Sequence, residues 1–407
     1  MSTGRGDMSS VARAPTRPHV EAARSLGHPP ERPDDLEPLS SSRAVPGSAV
    51  LANTSLEPRA TGALLPDEAA AHLGLRVWRS ASGRAALLYG EIPGYRVTAG
   101  IPCAPASERG ALHGEFVADC RRAGLKPLHF GLTDAALEFL PSDIASSAPR
   151  RTARWHLGDL PVFDLARWRA EATMPAGIRA QMRRARRLGV TVHHWPAPPS
   201  PAERAALCAV RDAWLRAKPL PALAFLTTPY VFEPWPADGV FVAEARGRFV
   251  GFLIGCRVVF GDMLRVDVVA RCPGAPNGTA ELLVGEAFRR AARQGVERAT
   301  LGLAPLSRRT NVRMRGWRGV AAGCARRFGA PLYSFAGLEA FKAKFAPDVW
   351  VPLYAVAPGR AFGLRDLCAL GRAFVGGSLR RYLLRIASRA LLPRNNQSRV
   401  TPSAVRP

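Results

Sequence analysis

The stretch that decides the fold is DVVARCPGAPNGTAELLVGEAF, from Asp267 to Phe288. It begins as an extended apolar run, breaks at six residues rich in proline and glycine, and resumes with apolar residues at helical spacing. The pattern predicts a strand, a rigid elbow at residues 273–278, and a helix that begins near Thr279. A helix start fed by such a loop presents free backbone N–H groups and a positive dipole end, which favour phosphate or carboxylate ligands. An ordinary tight connection with capping residues fits the same spacing.

The residues around the elbow have side chains and backbone properties suited to an anionic ligand. Arg271 precedes the loop and carries a forked donor that matches phosphate. Asn277 is the predicted N-cap of the helix, and Gly278 lets a ligand approach the backbone closely. Glu281 lies in the first turn of the helix and points back toward the same mouth. A solvated glutamate that only favours the helix dipole fits this position equally well.

The order of three strands, a helix and a strand occurs twice, first over residues 76–132 and again over residues 240–304. Alternating apolar residues mark the strands, and 3.6-residue spacing marks the helices. The chain is therefore predicted to be an α/β protein of two similar units with mixed sheets and a ligand-binding cleft between them. The predicted divisions are a disordered tail at 1–65, an N-terminal unit at 66–165, linking helices at 166–215, a catalytic unit at 216–358 and a basic tail at 359–407.

The excess of positive charge lies outside the N-terminal tail. Net charge is +25 over 407 residues, but residues 1–65 hold seven Lys and Arg against seven Asp and Glu. A field of this sign attracts polyanions, either nucleic acid or an anionic membrane face. A coding sequence biased toward arginine codons would produce the same excess without any such partner.

The cysteine, histidine and apolar patterns exclude several classes of protein. The seven cysteines form no C-x-x-C pair and most sit in apolar runs, which predicts reduced, buried thiols in a cytosolic protein. The eight histidines show no metal-ligand spacing, and no metal or other cofactor is expected. The longest uncharged apolar segment, Phe249–Cys256, is only of strand length, so any membrane contact is expected at the membrane surface.

Two arginine-rich segments are predicted to contact the phosphates of a nucleic acid. A helix over 176–187 lies in a region, 172–202, that has no acidic residue to pair its charges. Residues 299–338 also lack acids and interleave arginines with Trp317 and Phe328, a mixture suited to phosphate contact and base stacking. A solvated face would have the same composition in either place. The candidate nucleic-acid-binding residues are Arg183, Arg184, Arg187, Arg313 and Arg315.

The C-terminal stretch LRDLCALGRAFVGGSLRRYLLRIASRALL, residues 364–392, alternates apolar residues with arginines. Such a segment is typical of an amphipathic helix that lies in the interface of an anionic bilayer with its apolar face in the acyl boundary. A helix packed on the surface of the domain fits the pattern equally well.

Three ordered motifs resemble the C-terminal catalytic region of bacterial phosphatidylglycerol lysyltransferases, the multiple peptide resistance factors. They are CPGAPNGTAELLV at 272–284, ATLGLAPLS at 299–307 and LYSFAGLEAFKAKFAPDVWVPLYAV at 332–356. The upstream GIRAQMRRARRLGV, at 177–190, resembles the arginine-rich helix of that region and of the wider Fem-type aminoacyl-tRNA transferases. The resemblance covers residues 66–378. It implies two tandem acetyltransferase-like domains that transfer an amino acid from an aminoacyl-tRNA to a lipid hydroxyl.

The resemblance also assigns roles to single residues. Lys342 and Lys344 match basic residues near the family's acyl site, and Arg271 matches its loop arginine. Asp267 and Arg271 are one residue further apart here than in the family's Asp-x-x-Arg. Ser307, at the end of the second motif, is either a hydrogen-bond donor or a cap. With the elbow residues added, the catalytic candidates are Arg271, Lys342, Lys344 and Glu281, and the substrate-binding candidates are Asn277, Gly278, Asp267 and Ser307.

Aminoacyl transfer from one ester to another needs no ATP or metal once the tRNA is charged. It needs proximity, a base for the attacking hydroxyl and donors for the oxyanion; Glu281 is the candidate carboxylate for the donor's amino group. The expected partners are aminoacyl-tRNA and an anionic phospholipid membrane surface, and the expected location is the cytoplasm, peripheral at the inner face of the cell membrane.

Two other classes of function fit the same sequence. One is an acetyltransferase-like N-acyltransferase that uses an acyl-CoA or acyl-carrier donor, and the other is a non-catalytic binding protein of the same fold. The glycine-rich Q/R-x-x-G-x-G/A loop of ordinary coenzyme A sites is absent. Coenzyme A of the usual kind is therefore not expected as the donor.

Overall fold

The computed structural model describes residues 75–83, 85–100, 106–138, 154–218, 232, 235–236, 238–258, 263–329, 334–375 and 384. The predicted tail at 1–65 and most of the predicted interfacial helix beyond residue 375 lie outside these residues. Within the described segments, no helix combines the length and the apolar composition that crossing a membrane requires.

The described strands form one mixed sheet of twelve strands. The strands are β1 Arg76–Arg79, β2 Ala86–Ile92, β3 Tyr95–Ala99, β4 Lys126–Leu132, β5 Arg154–Asp164, β6 Val190–Trp195, β7 Val240–Ala245, β8 Arg248–Val258, β9 Met263–Arg271, β10 Arg298–Thr300, β11 Ala304–Pro305 and β12 Val349–Val356. Their order in the sheet is β1-β2-β3-β4-β12-β5-β10-β9-β8-β7-β6, and β11 pairs with β5 off this path.

Eight α-helices accompany the sheet in the described part of the chain. They are α1 Ala106–Arg122, α2 Asp134–Glu138, α3 Ala176–Arg187, α4 Pro201–Arg216, α5 Thr279–Arg293, α6 Trp317–Gly329, α7 Phe335–Ala343 and α8 Leu364–Phe374. Two short 3₁₀ turns, Ala166–Trp168 and Glu171–Thr173, precede α3.

The repeated order predicted from the sequence is present as two similar halves. In the first half β3 runs parallel to β4 with α1 as the crossover, and β2 and β1 extend the sheet antiparallel. In the second half β9 runs parallel to β10 with α5 as the crossover, and β8, β7 and β6 extend the sheet antiparallel. The prediction of an α/β fold with two tandem acetyltransferase-like halves is confirmed.

Each half is completed by a strand from elsewhere in the chain. β12, which follows the second half in sequence, pairs antiparallel with β4 of the first half. β5, which follows the first half in sequence, pairs antiparallel with β10 of the second half. β5 and β12 also pair with each other along the whole of β12. The two halves therefore share one continuous sheet through two exchanged strands.

Apolar side chains cover both faces of this sheet. In the second half, Leu283 and Phe288 of α5 pack with α3 on one face, whereas Leu207 of α4 covers the other. In the first half, α6 and α8 pack on the face that carries Phe130, and Phe116 of α1 packs on the opposite face. Because strand side chains alternate between faces, each helix layer buries its own set of strand residues.

Local sequence features explain where the linking helices begin and end. Ser200 caps α4 in a capping box, because its hydroxyl accepts from the Glu203 N–H at 3.4 Å and the Glu203 carboxylate accepts from the Ser200 N–H at 2.9 Å. Gly189 ends α3 with a φ of 79°. The predicted linking helices at 166–215 do not begin at residue 166, because two 3₁₀ turns come first and α3 begins only at Ala176. Pro175 precedes α3, and its ring and missing N–H stop a helix from running through that position.

The prediction of buried thiols holds only for part of the cysteine set. The six described cysteines are free, and Cys120 is buried, which raises the pKa of its thiol to about 11. Cys324 and Cys368 are exposed on α6 and α8, so the prediction is wrong for these two. Both cysteines lie among apolar residues in the sequence, but they are on the sides of α6 and α8 that face away from the sheet. Cys103 lies outside the described residues.

Candidate functional site

The second half contains a wedge where two parallel strands separate. β9 and β10 pair over three residues of each strand, Met263–Arg265 with Arg298–Thr300. β9 then continues to Arg271 beside β8, whereas the chain after β10 turns away to pair β11 with β5. We call the space between the end of β9 and residues 301–303 the wedge. Polar groups from four elements converge on it.

β9 has a bulge at the mouth of the wedge. Ile254 of β8 pairs with Val268 and Gly255 pairs with Val266, which leaves Asp267 without an opposite residue. The Asp267 carboxylate accepts from the Arg265 Nε at 2.6 Å, and Arg265 is largely buried. The bulge follows Val266, whose carbonyl lies across the wedge from Gly302, and it places Asp267 at the mouth of the wedge.

The N-cap residue of α5 differs from the predicted one. Gly278, with a φ of 90°, is the N-cap, and its missing side chain makes no capping bond. The Thr279 hydroxyl donates to the Pro276 carbonyl at 2.7 Å instead. The prediction that Asn277 is the N-cap is wrong, because a left-handed residue is needed at the helix start and glycine adopts that conformation without strain. Asn277 is exposed beside it.

The elbow is covered on one side by the arginine-rich helix α3. A Cβ atom at Gly278 would lie 2.3 Å from the Gln181 carbonyl oxygen, and one at Gly285 would lie 2.6 Å from the Met182 sulfur. Ala275 and Gly278 are buried, whereas Pro273, Gly274 and Asn277 are exposed. Gly278 therefore serves close helix packing, and the exposed elbow residues remain open to a ligand.

Two predicted catalytic residues meet at the start of α5. Glu281 is 8% exposed, and its Oε1 lies 3.7 Å from the Nζ of Lys344. The Lys344 side chain itself is exposed. This pair joins the first turn of α5 to the end of α7, so a carboxylate and an ammonium group stand beside the wedge.

Lys342 reaches into the wedge from α7. Its Nζ donates to the backbone carbonyls of Gly302 at 2.8 Å and Leu303 at 2.7 Å. A Cβ atom at Gly302 would lie 3.9 Å from this Nζ and 3.7 Å from the Val266 carbonyl of β9. Lys342 is 5% exposed, and burial lowers the pKa of its amine to about 7. The amine is therefore partly neutral near pH 7.

Ser307 lies away from the wedge in a buried hydrogen-bond hub. Its hydroxyl donates to the Asp159 carboxylate at 2.8 Å, and that carboxylate also accepts from the Arg309 N–H at 2.7 Å and from His156 at 3.0 Å. The Thr310 hydroxyl donates to it as well. Burial opposes ionisation of Asp159, but the hydrogen bonds from His156, Thr310 and Ser307 hold its pKa below the ordinary value. Ser307 thus anchors the start of the segment 308–315.

The predicted tRNA-binding arginines of α3 are divided by the structure. Arg183, Arg184 and Arg187 are exposed. Arg186 is bound to Glu171 at 2.8 Å and to Glu286 at 3.0 Å. The prediction that no acid pairs with the charges of this helix is wrong for Arg186. Glu171 lies in a 3₁₀ turn just before residues 172–202, and Glu286 of α5 is distant in the sequence.

The second arginine-rich segment is also partly paired. Glu339 of α7 accepts from Arg309 at 2.7 Å and lies 3.5 Å from Arg326. Arg313 and Arg315 are exposed. Trp317 is 42% exposed, and the Phe328 side chain lies outside the described residues. The exposed cations of this segment therefore flank α6, whereas Arg309 and Arg326 hold α7 in place.

The structure brings together some of the predicted site residues and separates others. Lys342, Lys344, Glu281 and Asp267 stand at or beside the wedge, and the exposed Arg271 ends β9 at its mouth. Ser307 belongs to the Asp159 hub. Sequence reasoning missed the contribution of Arg265 to the Asp267 ion pair. An alternating strand pattern with an arginine two residues before the aspartate, on the same face, was the available signal. Across the described chain, no cluster of three or more His, Cys, Asp or Glu residues is placed to hold a metal ion.

The fold defines a class of protein: a domain built from two acetyltransferase-like halves that share one sheet. The chain matches the family model described as "Phosphatidylglycerol lysyltransferase, C-terminal" over residues 70–357. It belongs to this family, and the resemblance stated from the three motifs is confirmed.

The relatives agree with this assignment. The chain is 26% identical over 286 residues to the phosphatidylglycerol lysyltransferase of Bacillus subtilis (strain 168), an alignment that covers 69% of this chain and 32% of the relative. This chain therefore spans about a third of the length of that relative.

Two solved structures show the same fold. One is the C-terminal domain of a putative lysylphosphatidylglycerol synthetase from Agrobacterium fabrum, with a TM-score of 0.62, 24% identity, and coverage of 77% of this chain and 94% of that chain. The other is L-PGS from Bacillus licheniformis, with a TM-score of 0.59, 20% identity, and coverage of 75% and 90%.

Proposed function

We propose that this chain transfers an amino acid from an aminoacyl-tRNA to the hydroxyl of a membrane lipid such as phosphatidylglycerol, with the wedge as the reaction site. The observation that carries the proposal is Lys342, a lysine 5% exposed whose pKa is lowered by burial to about 7. Membership of the lysyltransferase family supports the reaction class. The name of the Bacillus subtilis relative supports phosphatidylglycerol as the acceptor.

Lys342 acts as the general base of the proposed reaction. In the neutral amine, the two N–H bonds point to the Gly302 and Leu303 carbonyls, and the lone pair is left to accept a proton. The acceptor hydroxyl loses its proton to Lys342 as its oxygen attacks the ester carbonyl of the donor. The ester bond to the tRNA ribose then breaks, and the proton passes to the departing ribose oxygen. A base with a pKa near the working pH is efficient in both transfers.

Carboxylates beside the wedge recognise the amino group of the donor. Glu281 is nearly buried and is partnered by the exposed Lys344 at 3.7 Å. An incoming α-ammonium group can replace the Lys344 contact and form a shorter charge-assisted hydrogen bond. Asp267, held by Arg265 at 2.6 Å, supplies a second carboxylate at the mouth. The positive Lys344 and Arg271 are then available for phosphate or the developing oxyanion.

The tRNA is proposed to approach across α3. Arg183, Arg184 and Arg187 are exposed on this helix, and the helix packs directly on the elbow through Gly278. A backbone bound to these arginines would deliver its 3′-end toward Asn277 and Arg271. Exposed arginines can neutralise phosphates of the nucleic acid, which releases the counterions condensed on it.

The experiment measures transfer of a labelled amino acid from charged tRNA to phosphatidylglycerol vesicles. The wild-type chain is expected to produce labelled lipid, and ribonuclease added before the reaction is expected to abolish it. Lys342→Met, which keeps the length and apolar stem, is expected to lower the rate by at least about a hundredfold, the usual contribution of a general base. Lys126→Met, at an exposed lysine of β4, is the matched control and should leave the rate unchanged.

Two results would count against the proposal. Labelled lipid that forms equally well after ribonuclease treatment would indicate an acyl donor other than tRNA, as in an N-acyltransferase. Binding of tRNA and vesicles with no transfer to any lipid would indicate a binding protein of this fold.

A further inference from the structure

Three of the six large apolar side chains that are exposed in the described part of the chain lie on two neighbouring helices. Trp317 and Val320 of α6 are 42% and 67% exposed, and Leu364 of α8 is 62% exposed. Val320 and Leu364 are aliphatic side chains with no polar atom to offer solvent. Single exposed apolar side chains are common on folded domains, whereas a group of them on one surface is a candidate contact site for another molecule.

α6 and α8 present these side chains on the same side of the molecule. Both helices pack on one face of the first half of the sheet, through Ala322 and Leu370 in the core cluster that contains Phe130. The ring of Trp155 lies 5.8 Å from the ring of Trp317 and 5.7 Å from that of Phe362, just before α8. Because the inner sides of both helices face the sheet, their outer sides face away from it together.

The outer sides of the two helices also carry cations. Arg327 on α6 and Arg365 on α8 are exposed, and Arg313 and Arg315 are exposed in the segment that leads into α6. We call the exposed side chains of these helices the α6/α8 surface. It consists of Trp317, Val320, Cys324, Ala325, Arg327, Leu364, Arg365 and Cys368.

The carboxylates nearest to this surface in the sequence are bound elsewhere. Residues 298–338 contain no acid. Asp366 of α8 is 2% exposed, and it accepts from the Arg360 side chain at 2.6 Å and from the Gly363 N–H at 2.7 Å. The α6/α8 surface is therefore both apolar and positively charged.

We propose that the α6/α8 surface docks on an anionic phospholipid bilayer. Trp317 would lie at the headgroup level, where its ring is apolar and its N–H stays hydrated, and Val320 and Leu364 would enter the acyl boundary. The arginines around them would bind lipid phosphates. A nucleic acid would use the arginines and the indole ring, but it would gain nothing from two exposed aliphatic side chains on adjacent helices. A bilayer uses all three kinds of group.

The docked orientation would bring the reaction site close to its acceptor, and in this respect the inference rests on the proposed function. The chain runs from Gly302 and Leu303, which hold Lys342, through the Asp159 hub at Ser307 to Trp317 at the start of α6. Hydrogen bonds hold this segment at Gly302 and Leu303, through Lys342, and again at Ser307, through Asp159. The wedge is therefore tied to the α6/α8 surface by a short, anchored segment.

The first test is co-sedimentation with vesicles of phosphatidylglycerol and phosphatidylcholine, compared with vesicles of phosphatidylcholine alone. The wild-type chain is expected to bind only the anionic vesicles. The double variant Val320→Ser/Leu364→Ser should lower the partition coefficient about tenfold, because two apolar side chains no longer leave water. Leu188→Ser is the matched control, since Leu188 is 46% exposed in the second half of the molecule and should not change binding.

The second test uses a native exposed cysteine of the same surface. An environment-sensitive fluorophore on Cys324, in a chain with its other cysteines replaced, is expected to shift to shorter emission wavelength when anionic vesicles are added. The same fluorophore on Ala180→Cys, at an exposed position of α3, should show no shift. A shift at both positions, or at neither, would contradict docking through α6 and α8.

Other outcomes would replace the bilayer with a different partner. Loss of tRNA binding in the double variant with unchanged vesicle binding would assign the surface to RNA. A wild-type dimer that dissociates in the double variant, again with unchanged vesicle binding, would assign it to a second copy of the chain.

Failure of this proposal is distinguishable from failure of the proposed function. With acceptor lipid dispersed in detergent micelles, the double variant should retain wild-type transfer, because docking is bypassed. Absence of transfer by the wild-type chain in both vesicles and micelles would overturn the proposed function and leave the vesicle-binding result standing.

Discussion

Gly278 of the elbow lies against the backbone of Gln181 in α3, so closely that a Cβ atom at Gly278 would be 2.3 Å from the Gln181 carbonyl oxygen. The start of α5 and the arginine-rich helix are thus in direct backbone contact. Movement of either helix must be shared by the other, because the contact involves no flexible side chain.

Gly278→Ala is expected to destabilise the fold by about 2 kcal/mol or more, since alanine is strained at a φ of 90° and its methyl group overlaps α3. Gly274→Ala, in the same elbow, has nothing within 4 Å of its Cβ and should change stability by less than about 0.5 kcal/mol. Urea denaturation of both variants measures the difference. Equal denaturation midpoints for the two variants would show that α3 can move away from residue 278 without a loss of stability.

Lys342 should set the acidic limb of the pH dependence of transfer. Its neutral form is the proposed base, and burial lowers its pKa to about 7, so kcat/KM is expected to rise as the pH increases through about 7. Lys342→Arg keeps a cation that does not deprotonate, and it should be nearly inactive at every pH. A wild-type rate that stays constant from pH 6 to pH 8.5 would assign Lys342 a structural role.

The same lysine should affect stability in a defined pH window. Its ordinary pKa is 10.5 and its folded pKa is about 7, so the unfolded chain binds more protons between these values. The free energy of unfolding of the wild type, relative to Lys342→Met, should therefore increase with pH from about 7 to about 10.5 and stay constant below about 7. Denaturation at several pH values measures this; a constant difference across the window would contradict the lowered pKa.

Asp159 is expected to be required for the order of the segment that leads to α6. Asp159→Asn replaces an acceptor of several hydrogen bonds by a group with two donors of its own, which should cost about 2–4 kcal/mol of stability. Asp212→Asn, at a partly exposed position of α4, is the control and should cost less than about 0.5 kcal/mol. Hydrogen exchange of the Arg309 and Thr310 amides reports the local effect, and unchanged protection would contradict the anchoring role.

A buried histidine pair should make the first half sensitive to acid. Thr98 donates to the Gly100 carbonyl, so it accepts from the Nδ1–H of His129 at 2.7 Å, and the Nε2 of His129 is left to accept from His113. Burial, followed by repulsion from His113, lowers the pKa of His129 well below 6.5. The unfolded chain therefore binds more protons below pH 6.5.

For this reason the free energy of unfolding should decrease by about 1.4 kcal/mol per pH unit as the pH falls below about 6.5, on account of His129. His129→Gln should reduce that slope, whereas His193→Gln, at an exposed position on β6, should keep it. Denaturation midpoints between pH 5 and pH 7.5 provide the measurement. Identical slopes in both variants would argue against the buried pair.

Much of the fold could be predicted from the sequence, because its signals are local. The strand before the elbow, the elbow itself and α5 follow from apolar spacing within Asp267–Phe288, and the same signals identified the meander of the first half. β5 and β12 were not identified as separate strands. Each contains a proline, at Pro161 and Pro352. Each is recognised as a strand by its pairing with strands on both sides, and not by alternation of apolar and polar residues in its own sequence.

The site could be predicted only in part, and for a related reason. The family resemblance singled out Lys342 and Lys344, and the position in the first turn of the helix singled out Glu281; these three residues lie beside one wedge in the structure. Patterns within short stretches of sequence could not show that Arg186 is paired with Glu286, one hundred residues away. They also could not show that Ser307 is turned toward Asp159, which lies 148 residues earlier.

The sequence by itself determined the kinds of elements, their order, the repeated plan of the two halves and the family, because side-chain periodicity and short motifs act over a few residues. The tertiary structure decided the exchange of β5 and β12, the separation of β9 from β10, and the burial that lowers the pKa of Lys342. These properties depend on contacts between segments far apart in the chain. Their free energies come from packing and desolvation, which no local pattern specifies.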